Sequence, residues 1–122
     1  NLIVKLDEIW GSEVSVYYMD KYAGTIDLIG LYAGKIFIID YKSSYKTRSI
    51  EELNDYFIQC AAYAIAHDWQ YNTKIDSIMI FQVTRDGDFE QNIMNSNQME
   101  MYKRKWFNKL ELFYSESSLN GN

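Results

Sequence analysis

Lys35-Ile-Phe-Ile-Ile-Asp40-Tyr-Lys42 (KIFIIDYK) decides the reading of this chain, together with Tyr22-Ala-Gly-Thr-Ile-Asp27-Leu-Ile-Gly-Leu31 just before it. The later stretch is apolar and β-branched until Asp40 and Lys42 interrupt it, which predicts a buried strand with two charged groups at its end. Residues two apart on a strand share a face, with Cα atoms roughly 6–7 Å apart. Asp40 and Lys42 therefore emerge together, and Tyr41 turns to the other face. Taken alone, an Asp-x-Lys strand end is best read as an ion pair.

The earlier stretch changes that reading. If Ala33-Gly34 closes a two-residue hairpin, Tyr32 faces Lys35, and every opposed pair has residue numbers that sum to 67. Asp27 and Asp40 form such a pair, with Cβ atoms expected roughly 4.5–5.5 Å apart. Two carboxylates that close repel each other, and one keeps its proton unless a cation lies between them. An all-oxygen donor set suits a hard divalent cation, Mg²⁺ or Mn²⁺. A register slip of one residue would place the two acids on opposite faces. Such a metal acidifies bound water and polarises phosphate oxygens, and Lys42 beside it is placed to orient the water or offset developing charge. Asp27, Asp40 and Lys42 are thus the candidate catalytic set for phosphodiester hydrolysis. Gly24 would allow a backbone or phosphate to come close, and Glu13 is placed to add a carboxylate, through water or directly.

The surrounding elements follow from period and punctuation. Leu2, Ile3, Leu6, Ile9 and Trp10 recur at helical spacing before Gly11, which predicts the tail of a first helix. Glu13–Tyr18 alternates as a strand, followed by a turn at Asp20-Lys21. Ser49 and Glu52 form a capping-box pattern that opens a helix running to about His67, with Leu53, Tyr56, Phe57, Cys60, Tyr63, Ala64 and His67 on its apolar stripe. Gln59 lies on the margin of that stripe, one turn before Tyr63. Ser77–Thr84 predicts a strand buried on both faces, Phe89–Ile93 a short strand, and Asn97–Ser115 a closing helix with Met99, Tyr102, Trp106, Leu110 and Phe113 turned inward.

Three motifs in this order resemble those of RecB-like nucleases in the PD-(D/E)XK superfamily, and among them phage-type and mitochondrial single-strand DNA exonucleases: Gly24-Thr-Ile-Asp27, Asp40-Tyr-Lys42 and Gln59-Cys-Ala-Ala-Tyr63. The resemblance runs from about Glu13 to Tyr63. It implies an α/β restriction-endonuclease-like core: a mixed central sheet with a three-strand antiparallel meander, a helix and a further strand, flanked by helices. It implies metal ligation by Asp27, Asp40 and the Tyr41 backbone carbonyl, a metal-shell role for Glu13, a catalytic Lys42, and structural or DNA-contacting roles for Gln59 and Tyr63. Ser43, Lys46 and Arg48, on or just after the active-site strand, join Gly24 as candidate substrate contacts. The expected partner is DNA, single-stranded or at its ends, and the expected activity is exonucleolytic in replication, recombination or repair. A structure-specific or restriction-type endonuclease and a catalytically weak DNA-binding module are the alternatives.

Bulk properties bound the rest. At 122 residues the chain fits one nuclease domain, expected here to lack an N-terminal helical portion. One cysteine, Cys60, excludes an internal disulfide and a four-cysteine iron–sulfur cluster. A net charge of −5 argues against bulk electrostatic coating of nucleic acid, so basic groups must act locally. No apolar run has the length of a membrane span, and the expected setting is intracellular: bacterial or phage-infected host cytoplasm, or the mitochondrion. His67 and Cys60 read as core, and Lys103-Arg104-Lys105 as a solvated helix face.

Overall fold

The turn after Tyr32 sets the architecture. In the computed structural model, which describes residues 6–44 and 49–119, Ala33 and Gly34 both have positive φ, 51° and 78°. Two successive left-handed residues give a hairpin the twist its strands require. The strands it joins, β2 (Tyr22–Tyr32) and β3 (Lys35–Ser44), pair antiparallel from Tyr32↔Lys35 to Leu28↔Ile39, in the expected register. β1 (Glu8–Tyr18) flanks β2, while β4 (Ser77–Thr84) runs parallel to β3 and carries β5 (Phe89–Met94) antiparallel on its far side. The sheet order is β1-β2-β3-β4-β5, the mixed α/β sheet of a restriction-endonuclease-like core.

The parallel step from β3 to β4 needs a crossover, and α1 (Ile50–Tyr71) supplies it. Its capping box forms as the sequence predicts: Ser49 Oγ accepts from the Glu52 backbone N–H at 3.2 Å, and Glu52 Oε1 accepts from the Ser49 N–H at 3.3 Å. The helix runs one turn past His67 and ends at Asn72 in the left-handed conformation. His67 is therefore inside the helix, hydrogen-bonded through Nδ1 to Thr73 Oγ1 at 2.7 Å, with burial holding its pKa below the usual imidazole value. α2 (Ser96–Leu119) packs beside α1 through Met99, Tyr102 and Trp106. Phe113 does not turn inward as expected but is 63% exposed, its ring set edge-on to Tyr114. Among the described residues no helix is long and apolar enough to cross a membrane.

The main core lies between the helices and one sheet face, with Val16, Ile26, Ile29, Ile38 and Ile78 packed against Cys60, Ala61 and Ala64. Phe37, Ile39, Met79 and Phe81 form a second cluster on the opposite face. β4 is buried almost throughout, as its continuous apolar run predicts.

The expected first helix is corrected. Residues 1–5 lie outside the described part, but Glu8, Ile9 and Trp10 belong to β1, with Glu8↔Leu31 and Ile9↔Gly30 paired and Trp10 inserted as a bulge before Gly11↔Ile29. An open edge on β2 outweighs a helical periodicity only a few residues long. Ser49→Ala should lower the unfolding free energy by about 1 kcal/mol, read as a lower urea midpoint at unchanged m-value.

Candidate active site

β2 and β3 stop pairing at Leu28↔Ile39, and each then follows its other neighbour: β2 stays with β1 to Tyr22, and β3 stays with β4 to Ser44↔Thr84. The sheet opens at this point, and the first position beyond the last pair holds Asp27 and Asp40. The gap is closed by a side chain. The Tyr41 backbone N–H, which lies beyond the last β2–β3 backbone pair, donates to the Asp27 side chain, Oδ2, at 3.0 Å. Ile38 faces α1, so Asp40, two residues further along β3, faces it too, and the Asp27 carboxyl lies within hydrogen-bonding reach of Asp40.

Asp40 and Lys42 share that face, with Lys42 Nζ 3.0 Å from Asp40 Oδ2 and side-chain exposures of only 20% and 13% for the lysine and the acid. Asp40 Oδ2 is buried and accepts no well-aligned hydrogen bond. Burial is the largest influence on this carboxyl, followed by hydrogen bonding with Asp27; together they outweigh Lys42 and push its pKa up to about 6. Asp40, with Asp27 beside it, thus keeps its proton in a partly dry pocket where the two acids offer only oxygen as ligands. Two carboxylates side by side, one of them mostly buried and only partly compensated by Lys42, fit a hard divalent cation.

β1 approaches from the other side. Ile26 and Ile29, three residues apart, join one core cluster while Leu28 joins the opposite one, so the regular alternation of β2 is interrupted just before Asp27. Glu13 stands across from the interruption, between the pairs Ser12↔Leu28 and Val14↔Ile26, with φ at 50°. Its side chain is exposed. Among the described residues no third His, Cys, Asp or Glu joins Asp27 and Asp40 in a metal-holding group.

α1 forms the floor. Tyr56, Cys60 and Tyr63 follow one another at helical spacing on the side that meets the strands. Lys42 Nζ lies 4.1 Å from the Tyr56 ring centroid. The Cys60 thiol is held well above the ordinary thiol range by burial, then by the negative charge of Asp40, and is inert core. Tyr63 explains Gly24: a Cβ there would meet the Tyr63 ring, with Cζ only 2.7 Å away. Gly24 therefore makes room for the protein's own ring, not for a phosphate. Burial raises the Tyr63 hydroxyl, with smaller contributions from Cys60 and Asp40. Gln59 is exposed and lines a cleft of ≈ 370 Å³ with Tyr63, Ala23, Trp106 and Lys109.

The remaining expectations divide. Tyr41 turns to the opposite face, tilted against Phe81 at 6.1 Å, and Ser43 follows it by alternation, away from Lys42. Lys46 and Arg48 lie outside the described residues. Lys103 pairs with Glu100 at 3.7 Å and Lys105 lies over Tyr102 at 5.0 Å, as expected of a solvated helix face. Sequence reasoning placed Tyr56 on the apolar stripe but missed its contact with Lys42, since the stripe gives no sign of which strand residue lands on it.

Comparison with known proteins identifies the family and the fold. The family model for the PD-(D/E)XK nuclease superfamily matches residues 8–116. The mitochondrial genome maintenance exonuclease 1 of Mus musculus is 32% identical over 104 residues, covering 82% of this chain and 30% of its own length. Its Homo sapiens counterpart is 31% identical over 106 residues, covering 84% and 30%. The chain therefore spans about a third of the length of these relatives. A crystal structure from Eubacterium rectale, provisionally assigned as an exonuclease, superposes with a TM-score of 0.55 at 14% identity, covering 87% of this chain and 43% of that one. That likeness concerns the fold.

Two outcomes follow from the pocket. Gly24→Ala should destabilise the fold by about 1–3 kcal/mol, and Tyr63→Ala should remove most of that penalty in a double-mutant cycle measured by urea unfolding. Because the Asp40 carboxyl is raised to about 6, its ionisation weakens the fold, and the stability present at low pH is lost as pH rises through that value. Without added metal, Asp40→Asn should be more stable than the unmutated chain at pH 8, by roughly 1–3 kcal/mol, and the gain should shrink below pH 6.

Proposed function

The chain belongs to the PD-(D/E)XK nuclease superfamily, and from that premise we propose that it hydrolyses DNA phosphodiester bonds with a divalent metal, cutting inward from single strands or strand ends. The observation that carries the reading is the pair Asp27 and Asp40 at the opening of the sheet with Lys42 in contact. Asp27 and Asp40 would hold Mg²⁺ or Mn²⁺, with the Tyr41 carbonyl as the third protein oxygen and Glu13 reaching the shell through water. When bound, the metal supplies Lewis-acid polarisation of the phosphate and an acidified water.

The chain's own residues do the rest. The Tyr41 N–H fixes the Asp27 carboxylate in one orientation. Asp40, ionised above about pH 6, holds the Lys42 ammonium at 3.0 Å beside the site. The Lys42 ammonium orients the attacking water or offsets charge developing on the phosphate oxygens. The cleft beside Gln59 and Tyr63 has an aromatic wall that suits an unpaired base better than a stacked duplex, and Lys109, paired with Asp55 at 3.8 Å, stands at it. The local character of these basic groups agrees with a chain whose net charge is −5.

The test is cleavage of end-labelled single- and double-stranded DNA in Mg²⁺ or Mn²⁺, beside Asp40→Ala and Lys42→Ala. Short products released from the ends are expected, with losses of at least about a hundredfold in each variant. Metal should also raise the melting temperature of the unmutated chain but not of Asp40→Asn. Internal cuts would replace the exonuclease with an endonuclease, and no cleavage under either metal would overturn the reading.

A further inference from the structure

We propose that Tyr56 is a positioning residue for Lys42, its ring face being the seat that holds the ammonium beside the two carboxylates. The catalytic consequence rests on the nuclease reading above; the seat itself does not.

The lysine ends a four-carbon stem with several rotatable bonds, and a catalytic cation must keep one position. The structure gives its Nζ an anion, Asp40 Oδ2 at 3.0 Å, and an aromatic face, Tyr56, at 4.1 Å from the centroid. The two contacts differ in what they survive. Any second cation drawn to Asp40 competes with Lys42 for the same carboxylate and repels it. The negative face of an aromatic ring carries no titratable charge and is not shared with the carboxylate pair, so its attraction persists when Asp40 is engaged elsewhere.

The placement of Tyr56 follows from the fold. The capping box at Ser49 and Glu52 fixes the start of α1, and Tyr56 comes about two turns later, one turn before the buried Cys60. Cys60 itself offers Lys42 no anion, because its thiol stays protonated. A leucine would fill the same space on the stripe, but its apolar surface would not attract an ammonium. With only 20% of the Lys42 side chain exposed, water does little to weaken the ring's attraction.

The test compares four forms of the full chain: unmutated, Tyr56→Phe, Tyr56→Leu, and Tyr56→pentafluorophenylalanine, which keeps the ring's shape and reverses its face polarity. On DNA, Tyr56→Phe should keep kcat within about twofold, while the leucine and fluorinated forms should lose about tenfold in kcat at unchanged KM. The fluorinated form separates the cation's seat from mere packing, and it serves if Tyr56→Leu does not fold. An independent readout needs neither metal nor DNA: the Lys42 ε-methylene protons should show an upfield ring-current shift in the unmutated and Tyr56→Phe proteins, lost in Tyr56→Leu.

Full kcat in the fluorinated form would overturn the positioning role. A rise in KM at constant kcat would do the same, by making Tyr56 a substrate contact. Unshifted ε-methylene protons in the unmutated chain would overturn the seat whatever the activity. Shifted protons in a chain that cuts no DNA would leave the seat standing and overturn the nuclease reading instead.

Discussion

The candidate site depends on one feature of the sheet: β2 and β3 part beyond Leu28↔Ile39 while each stays with its other neighbour. A twisted sheet that splits must leave backbone groups without ladder partners, and such groups are costly when buried. At this split the Asp27 carboxylate takes up the Tyr41 N–H. The side chain that repairs the ladder is the one that brings a second carboxylate to Asp40. Closing the split with more ladder would need no acid there and would leave no pocket.

The arrangement costs stability. Asp40 is mostly out of water, faces a like charge and is incompletely compensated by Lys42, so its proton is held to about pH 6. Groups in this condition cluster at functional sites, because the environment that disfavours the free charge favours whatever neutralises it. The irregular stretch of β1 opposite Asp27, where Glu13 holds a positive φ, is a second local expense in the same place. Neither feature serves the core, which closes without them through Ile29, Ile38 and Ile78 against α1.

α1 supports the site by presenting a row of different side chains at one helical spacing. Tyr63 fills the space that Gly24 leaves on β2, Cys60 seals the floor as an uncharged thiol, and Tyr56 meets Lys42. The pairing of Gly24 with Tyr63 ties the first of the three motifs to the last through packing. A glycine that reads as room for a ligand is occupied by the protein's own ring, so its contribution to the site is rigidity.

The sequence by itself determined the meander and the hairpin register, which sets Asp27 and Asp40 at opposed positions. Those depend on a two-residue turn and on a period of two, and both are local. It also determined α1 and its cap, because Ser49 and Glu52 lie within one turn of each other. Only the tertiary structure decided that Glu8–Trp10 extends a strand, since the competing edge of β2 lies some twenty residues away in sequence. It alone decided that the ladder ends one residue short of the two acids, that Tyr63 fills the space at Gly24, and that Tyr56 meets Lys42. Each of these is a contact between elements, set by how the sheet twists and where α1 crosses it, and no local period encodes where two such surfaces meet.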